Sequence, residues 1–404
     1  MPGSINPDRL LSDMRRLASF GAYSSGVHRP TFSAPDMAAR HWLVEQMREA
    51  GLAAEMDGIG NIIARNPRQG RRLLMGSHSD SQNHAGWLDG ALGVIYALEI
   101  ARSHIERGHA GAIDPVVWAD EEAHYASFLG SRSAIGALEE NEIEAARDAT
   151  TGLALRQALA DAGLAGMPRM HISAGDYVGY IEAHIEQGDH LDSAGLRIGV
   201  VTSIVGIYQY RITVSGARNH AGTTSMERRR DASRTLIRLA AQIDARIAEL
   251  AAERTVWTVG NITVEPGQVS IIPDRSDMLL QVRDADPQVL VRIDAALREL
   301  VDRCDGGCPV TLGMTARSEP HRMDEGMREA LRTSAEQHVP GDWVDMPSGA
   351  GHDAQILAGV MPAAMLFVPS IGGISHHWTE NTKDEDIVLG CQVMADAAYR
   401  LLAG

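Results

Sequence analysis

The chain has 404 residues, with 53 acidic against 37 basic side chains and a formal net charge of −16. Its length exceeds an ordinary single domain, so two or three are expected. So acidic a surface excludes a phosphate-neutralising nucleic-acid binder, and no stretch approaches the roughly 18 uninterrupted apolar residues of a membrane span.

Met1 to Arg16 has no apolar run, so no secretory signal is expected. Leu10, Leu11, Met14 and Leu17 recur at helical spacing. Asp36 precedes a second helical run through Ala39, Trp42, Leu43 and Met47, stopped by Gly51. A short strand follows within Asp57 to Ala64. Leu73-Leu-Met75 and Val116-Val-Trp118 read as buried strands, with a helix from Gly90 to Arg102 between them. This alternation predicts an α/β sheet with flanking helices. Glu139 to Ala165 reads as helix laid over that sheet.

From Ile207 the pattern changes. Ile207 to Val214 alternates like a half-buried strand, and Arg228 to Leu250 is a long helix. Thr255 to Val264 and Met278 to Val282 are strands, a helix runs through Val289 to Leu300, and Pro309 to Ala316 is a last strand. The order β-α-β-β-α-β defines a ferredoxin-like inserted unit. The expected division is residues 1–208 and 323–404 for the first domain and 209–322 for the insertion. A helix over Gly326 to Gln337, a buried strand at Met365 to Pro369 and a closing helix from Glu385 to Leu402 resume the first sheet. The cysteines Cys304, Cys308 and Cys391 form neither a disulfide framework nor a cysteine zinc site, so a reducing cytoplasm is the expected compartment.

Three buried strands deliver histidine or carboxylate just past their carboxyl ends. Leu73-Leu-Met75 leads to Gly76-Ser-His78-Ser-Asp80, Val116-Val-Trp118 to Asp120-Glu121-Glu122, and Leu366-Phe-Val368 to Ser375-His376-His377. Ligands bind at such strand ends in open α/β sheets. Asp89 in a Gly-bounded loop, and Glu182, His184 and Glu186 in one segment, add to the set. Each item alone has a bland explanation. Asp89 could cap a helix, Glu121 and Glu122 could be a solvated pair, and Glu182 and His184 could be exposed on one strand face. Together they point to a divalent first-row cation, zinc or a similar ion. Two such ions would share one carboxylate. A Glu-Glu pair can divide the work between ligand and base, and Asp80 could hold the His78 imidazole from behind.

These segments resemble the amidase, hydantoinase and carbamoylase family of zinc-dependent hydrolases. That family includes N-carbamoyl-L-amino acid hydrolases, allantoate amidohydrolases and β-ureidopropionases, and is akin to aminoacylases and di-zinc carboxypeptidases. The resemblance rests on Gly76 to Ser81, Asp89 to Val94, Glu121-Glu122, Glu182 to Gly188, Asn219 to Thr224 with Arg229 to Ala232, Ser348 to Ala354, and Gly373 to His376 with Glu380. It implies two divalent ions per subunit, zinc first, with manganese, cobalt or nickel as other choices. His78, Asp89 and His184 would hold one ion. Asp89, Glu122 and His376 would hold the other, with Glu121 as general base. His220 would polarise the scissile carbonyl, Gln187 and Ser270 would contact substrate, and Arg283 would bind its carboxylate. A homodimer and a small-molecule N-carbamoyl or N-acyl amino acid are the implied partners. An N-acyl amino acid amidase or dipeptidase is the alternative enzyme, and a non-catalytic ligand binder the remote one. Four positions depart from the family pattern: Ser270 stands for Asn, Ala123 and Tyr125 for Gly and Arg, and Ala85 for Gly.

Overall fold

The computed structural model describes residues 5–304 and 306–403. The chain forms two compact units, one running to Thr202 and resuming at Arg322, the other Ser203–His321.

In the first unit the sheet runs through the strands Ile198–Ile204, Ala363–Val368, Tyr180–Ile185, Arg72–His78, Ala112–Trp118, Ile62–Arg65 and Ala53–Met56. The four from Ala363–Val368 to Ala112–Trp118 are mutually parallel, and those flanking them are antiparallel. Parallel pairing aligns the carboxyl ends. Val368 pairs with Ile185, and His78 pairs with Trp118. Those strands are buried along nearly their whole length, as a sheet covered on both faces requires. Helix Ala91–Glu106 is buried from Ala91 to His104, and it packs with Asp384–Ala403 and Pro7–Ala18 in one core. Each fully buried Leu, Ile or Val there contributes about 1.5–3 kcal/mol.

Residues 139–165 depart from the expected continuous helix. Two short helices, Glu140–Ala145 and Leu155–Asp161, are separated by a turn. The Asp148 carboxylate accepts from the amides of Thr150 and Thr151 there, and Gly152 takes φ 74°. This local bonding outcompetes helix. The segment also does not lie over the main core. Ile143, Leu155 and Leu159 join Ile59, Leu129 and Leu164 in a separate cluster. The long helix expected from Arg228 starts at Ala232, capped by Asp231. Strands Ile198–Ile204 and Trp343–Ser348 have no counterpart in the sequence reading.

In the second unit the four strands are all antiparallel, in the order Val256–Glu265, Arg275–Asp284, Gly206–Ser215, Val310–Ser318. Helices Ala232–Leu250 and Pro287–Asp302 bury Leu236, Leu239, Ile243, Leu290 and Ile293 against Tyr208, Tyr210, Met278 and Leu280. No described helix is long and apolar enough to cross a membrane.

Candidate metal centre

The aligned strand ends of the first unit gather the chemistry. Two buried arginines shape the turns there. The Arg29 guanidinium donates to the carbonyls of Ser79 and Leu17. Arg40 pairs with Asp36, donates to the carbonyls of Gly60 and Trp118, and faces Asp80 at 3.7 Å. Asp120 then takes φ 55°, and its carboxylate accepts from the amides of His124, Tyr125 and Ala126 at 2.8–2.9 Å. This turn follows the strand at once and leads into Glu121 and Glu122. Burial, with repulsion from Asp80, lifts Asp120 to about 6, and the Thr31 hydroxyl lies between the two carboxylates.

Asp89 joins two ligand groups. Its Oδ1 lies 3.0 Å from His184 Nε2 and 3.6 Å from His78 Nε2. Its Oδ2 lies 3.4 Å from His376 Nε2, which is 3.9 Å from Glu122 Oε2. His78, Asp89 and His184 thus form one compact set of donor atoms, and Asp89, Glu122 and His376 a second. The first is fully buried, whereas the His376 side chain is 51% exposed. The Glu121 carboxylate stands 3.7 Å from His78 Nε2 and belongs to neither set. Gly90 follows Asp89 with φ 62°, and a Cβ there would come within 2.4 Å of the His78 ring. The Glu380 carboxylate accepts from the amides of Leu88 and Asp89 and fixes this turn.

The donor set suits a cation. His78 Nδ1 is bonded to the main-chain carbonyl of Asp80 (3.0 Å), and His184 Nδ1 to that of Ile185 (2.9 Å). Each imidazole is thereby oriented with its Nε2 lone pair inward. His78 Nε2 is buried without a hydrogen-bond partner. The Asp80 carboxylate itself stands 3.8 Å from His78 Nδ1 and accepts from the Thr31 hydroxyl and the Glu122 amide. The charges make the same point. Burial raises Glu121 well above the carboxylate range; His78 opposes the shift, while Glu122, Asp353 and Asp89 reinforce it. Burial and Asp89 lift Glu122 to about 7. The Asp89 hydrogen bond, against burial, raises His376 to about 9. Buried carboxylates crowded in this way call for positive charge.

Other expected residues lie nearby or elsewhere. The Gln187 amide donates to Asp89 Oδ2 at 2.9 Å, close to His376. Glu182 and His184 are both fully buried, not exposed on a strand face; Glu182 accepts from Ser77 and from the amide of Ala354. His220, Ser270 and Arg283 belong to the second unit. There the segments of His220 and Ser270 are bridged, with the Ala221 amide donating to the Ser270 carbonyl. His220 is exposed, and its Nδ1 accepts from the amides of Gly222 and Thr223, which leaves Nε2–H as an outward donor. Arg283 is half-buried and donates to Gln281.

His352 gained no role in the sequence reading. It is 1% exposed, its ring meets that of His184 edge-on at 4.5 Å, Nε2 bonds Ser348 Oγ, and Nδ1 has no hydrogen-bond partner. The one available signal was its place in Ser348 to Ala354. Tyr125 packs its ring on Phe32, so no cation stands at that position.

A buried histidine–carboxylate cluster at the strand ends of a largely parallel sheet forms a candidate metal centre, and comparison with known proteins gives the family. Peptidase family M20/M25/M40 matches residues 74–400. The chain is 34% identical over 416 residues to an N-carbamoyl-L-amino acid amidohydrolase of Geobacillus stearothermophilus, covering 99% of this chain and 100% of that one. It is 31% identical over 397 residues to an allantoate amidohydrolase of Bacillus subtilis, covering 95% of each. A solved amidase of the hydantoinase/carbamoylase family from Burkholderia phymatum superposes with a TM-score of 0.91 at 45% identity, over 100% of this chain and 99% of that one. The chain belongs to the M20/M25/M40 family, and it is a hydrolase of carbon–nitrogen bonds of the amidohydrolase kind.

Proposed function

We propose that the protein is a metal-dependent amidohydrolase that cleaves a linear amide or ureido C–N bond of an N-carbamoyl or N-acyl amino acid with a free carboxylate. The observation that carries this reading is Asp89 shared between two donor sets, with the Glu121 carboxylate beside them and outside both. His78, Asp89 and His184 would hold one divalent ion; Asp89, Glu122 and His376 would hold another. When bound, such ions supply Lewis acidity and make water a strong nucleophile near neutral pH. Glu121 accepts the proton of the attacking water and delivers it to the leaving nitrogen. Its buried setting raises its proton affinity, which strengthens it as the base in the first transfer.

His220 presents Nε2–H to the carbonyl oxygen as negative charge develops there. Arg283 takes the substrate carboxylate, for which a guanidinium fork is the best match. Gln187 and His352 Nδ1 are further polar contacts for substrate. A homodimer, in which a second copy could supply His220, is part of this reading. The relatives named for N-carbamoyl amino acids and for allantoate support the substrate class.

The packing of Tyr125 on Phe32, in place of the family's arginine, favours a second reading, an N-acyl amino acid amidase. A screen of metal-loaded protein against N-carbamoyl, N-formyl, N-acetyl and ureido acids tests both. Turnover of carbamoyl or ureido acids supports the first reading, turnover of acyl acids alone the second, and turnover of none contradicts both.

A further inference from the structure

The two donor sets are oriented by different means. In the buried set, main-chain carbonyls of Asp80 and Ile185 hold the two imidazoles. In the more exposed set, the Glu122 carboxylate is held by one residue, Gln82. The Gln82 main-chain N–H donates to Glu122 Oε1 at 3.2 Å. Its side-chain amide donates to Glu122 Oε2 at 2.9 Å and to the Glu122 carbonyl at 3.0 Å. Gln82 therefore grips both ends of the glutamate, fixing the side chain's orientation and the backbone that carries it. Its own turn is tied down by Ser81, whose hydroxyl donates to the Gln82 carbonyl.

Glu122 needs such a grip. It lies near Asp89 and Asp80, which repel its charge, and near His78 and His376, which attract it. A neutral amide can orient a carboxylate without neutralising it, so the negative charge stays available for a cation. Gln82 lies four residues after His78 and seven before Asp89, in the loop between them. That loop therefore supplies ligands to the buried set and an orienting group to the exposed one.

We propose that Gln82 is a positioning residue that sets the affinity of the cation position formed by Asp89, Glu122 and His376, and leaves the position formed by His78, Asp89 and His184 untouched. This deepens the two-ion reading above and rests on it. Removing an outer-shell partner of a metal ligand typically costs about 10–100-fold in affinity. Only one of two binding events should carry that loss.

The test is calorimetric titration of Mn²⁺ into the metal-free, full-length protein, comparing the parent with Gln82→Met and Gln82→Asn. The first variant keeps the side-chain volume and removes the amide. The second keeps the amide and shortens its reach. The expected result is two equivalents in all three proteins, with one weakened about 10–100-fold in Gln82→Met, weakened less in Gln82→Asn, and the other unchanged. Glu122→Ala should weaken the same equivalent, and adding Gln82→Met to Glu122→Ala should weaken it no further. A purely structural role would instead lower both affinities together with the Tm of the metal-free protein, and that result overturns the proposal. Two equivalents in the parent with neither changed in Gln82→Met overturns the role of Gln82 alone. Fewer than two in the parent overturns the two-ion reading, and the role of Gln82 with it.

Discussion

The two units hold their functional side chains in opposite ways. In the first, His78, Asp89, His184 and Glu122 are buried near the ends of aligned strands, and hydrogen bonds within that unit orient them. In the second, His220 is exposed in a loop pinned by two amides on its ring and by Arg229, whose guanidinium donates to the carbonyls of Ala221 and Thr224. A buried cluster of like charges has to be over-determined, because each misplaced carboxylate there costs several kcal/mol. A donor that meets substrate from outside has to be reachable, and it tolerates exposure. On the proposed reading, the division separates the reacting centre from the group that would polarise the bond.

The sharpest way to break this comparison is Glu121→Gln. It is expected to lower kcat by about 10²–10⁴-fold while cation content stays at the parental level. Elemental analysis alongside steady-state kinetics checks it, and parental turnover would remove Glu121 from the proton transfer. His220→Ala is expected to cost about 10²–10³-fold in kcat, again with cation content unchanged. A loss of cations in this variant would erase the division between the units. Gly90→Ala probes how tightly the first unit is packed. It combines a left-handed φ with a Cβ 2.4 Å from the His78 ring, so about 1–3 kcal/mol of stability should be lost, read as a lower Tm; an unchanged Tm would mean the ring can give way.

A further prediction concerns pH. In the metal-free protein His376 holds its proton up to about 9 and Glu122 up to about 7. A cation must displace those protons to use both ligands. Affinity at that position should therefore fall as pH is lowered, about tenfold per unit between 9 and 7 and more steeply below 7. Titrations at pH 6, 7 and 8 in matched ionic strength measure it, and a flat profile would contradict the ligand assignment.

Much of the fold was legible because burial leaves a pattern. Short apolar runs such as Val116-Val-Trp118 announce parallel strands, and the alternation from Ile207 to Val214 announces a half-buried one. The helix read across 139–165 failed because Asp148, Thr150 and Thr151 close a turn by side-chain bonds that periodicity ignores. The strands Ile198–Ile204 and Trp343–Ser348 escaped although they are of ordinary length; Gly199 in the first, and Asp345 and Pro347 in the second, are poor strand formers. At the centre, histidines and acids at strand ends could be read directly from residue type and position. The groups that orient them could not. The contact between the His352 and His184 rings, and the bond from Glu380 to the Asp89 turn, join residues 168 and 291 positions apart in the chain. The carbonyl of Asp80, not its carboxylate, bonds the His78 ring, and no residue pattern distinguishes main chain from side chain.

The most direct test of the central claim is anomalous diffraction from crystals of the zinc-loaded protein. Two peaks are predicted, one within about 2.0–2.2 Å of donor atoms of His78, Asp89 and His184 and the other equally close to Asp89, Glu122 and His376, with Glu121 bonded to neither. A single peak, or two that do not share Asp89, would contradict it.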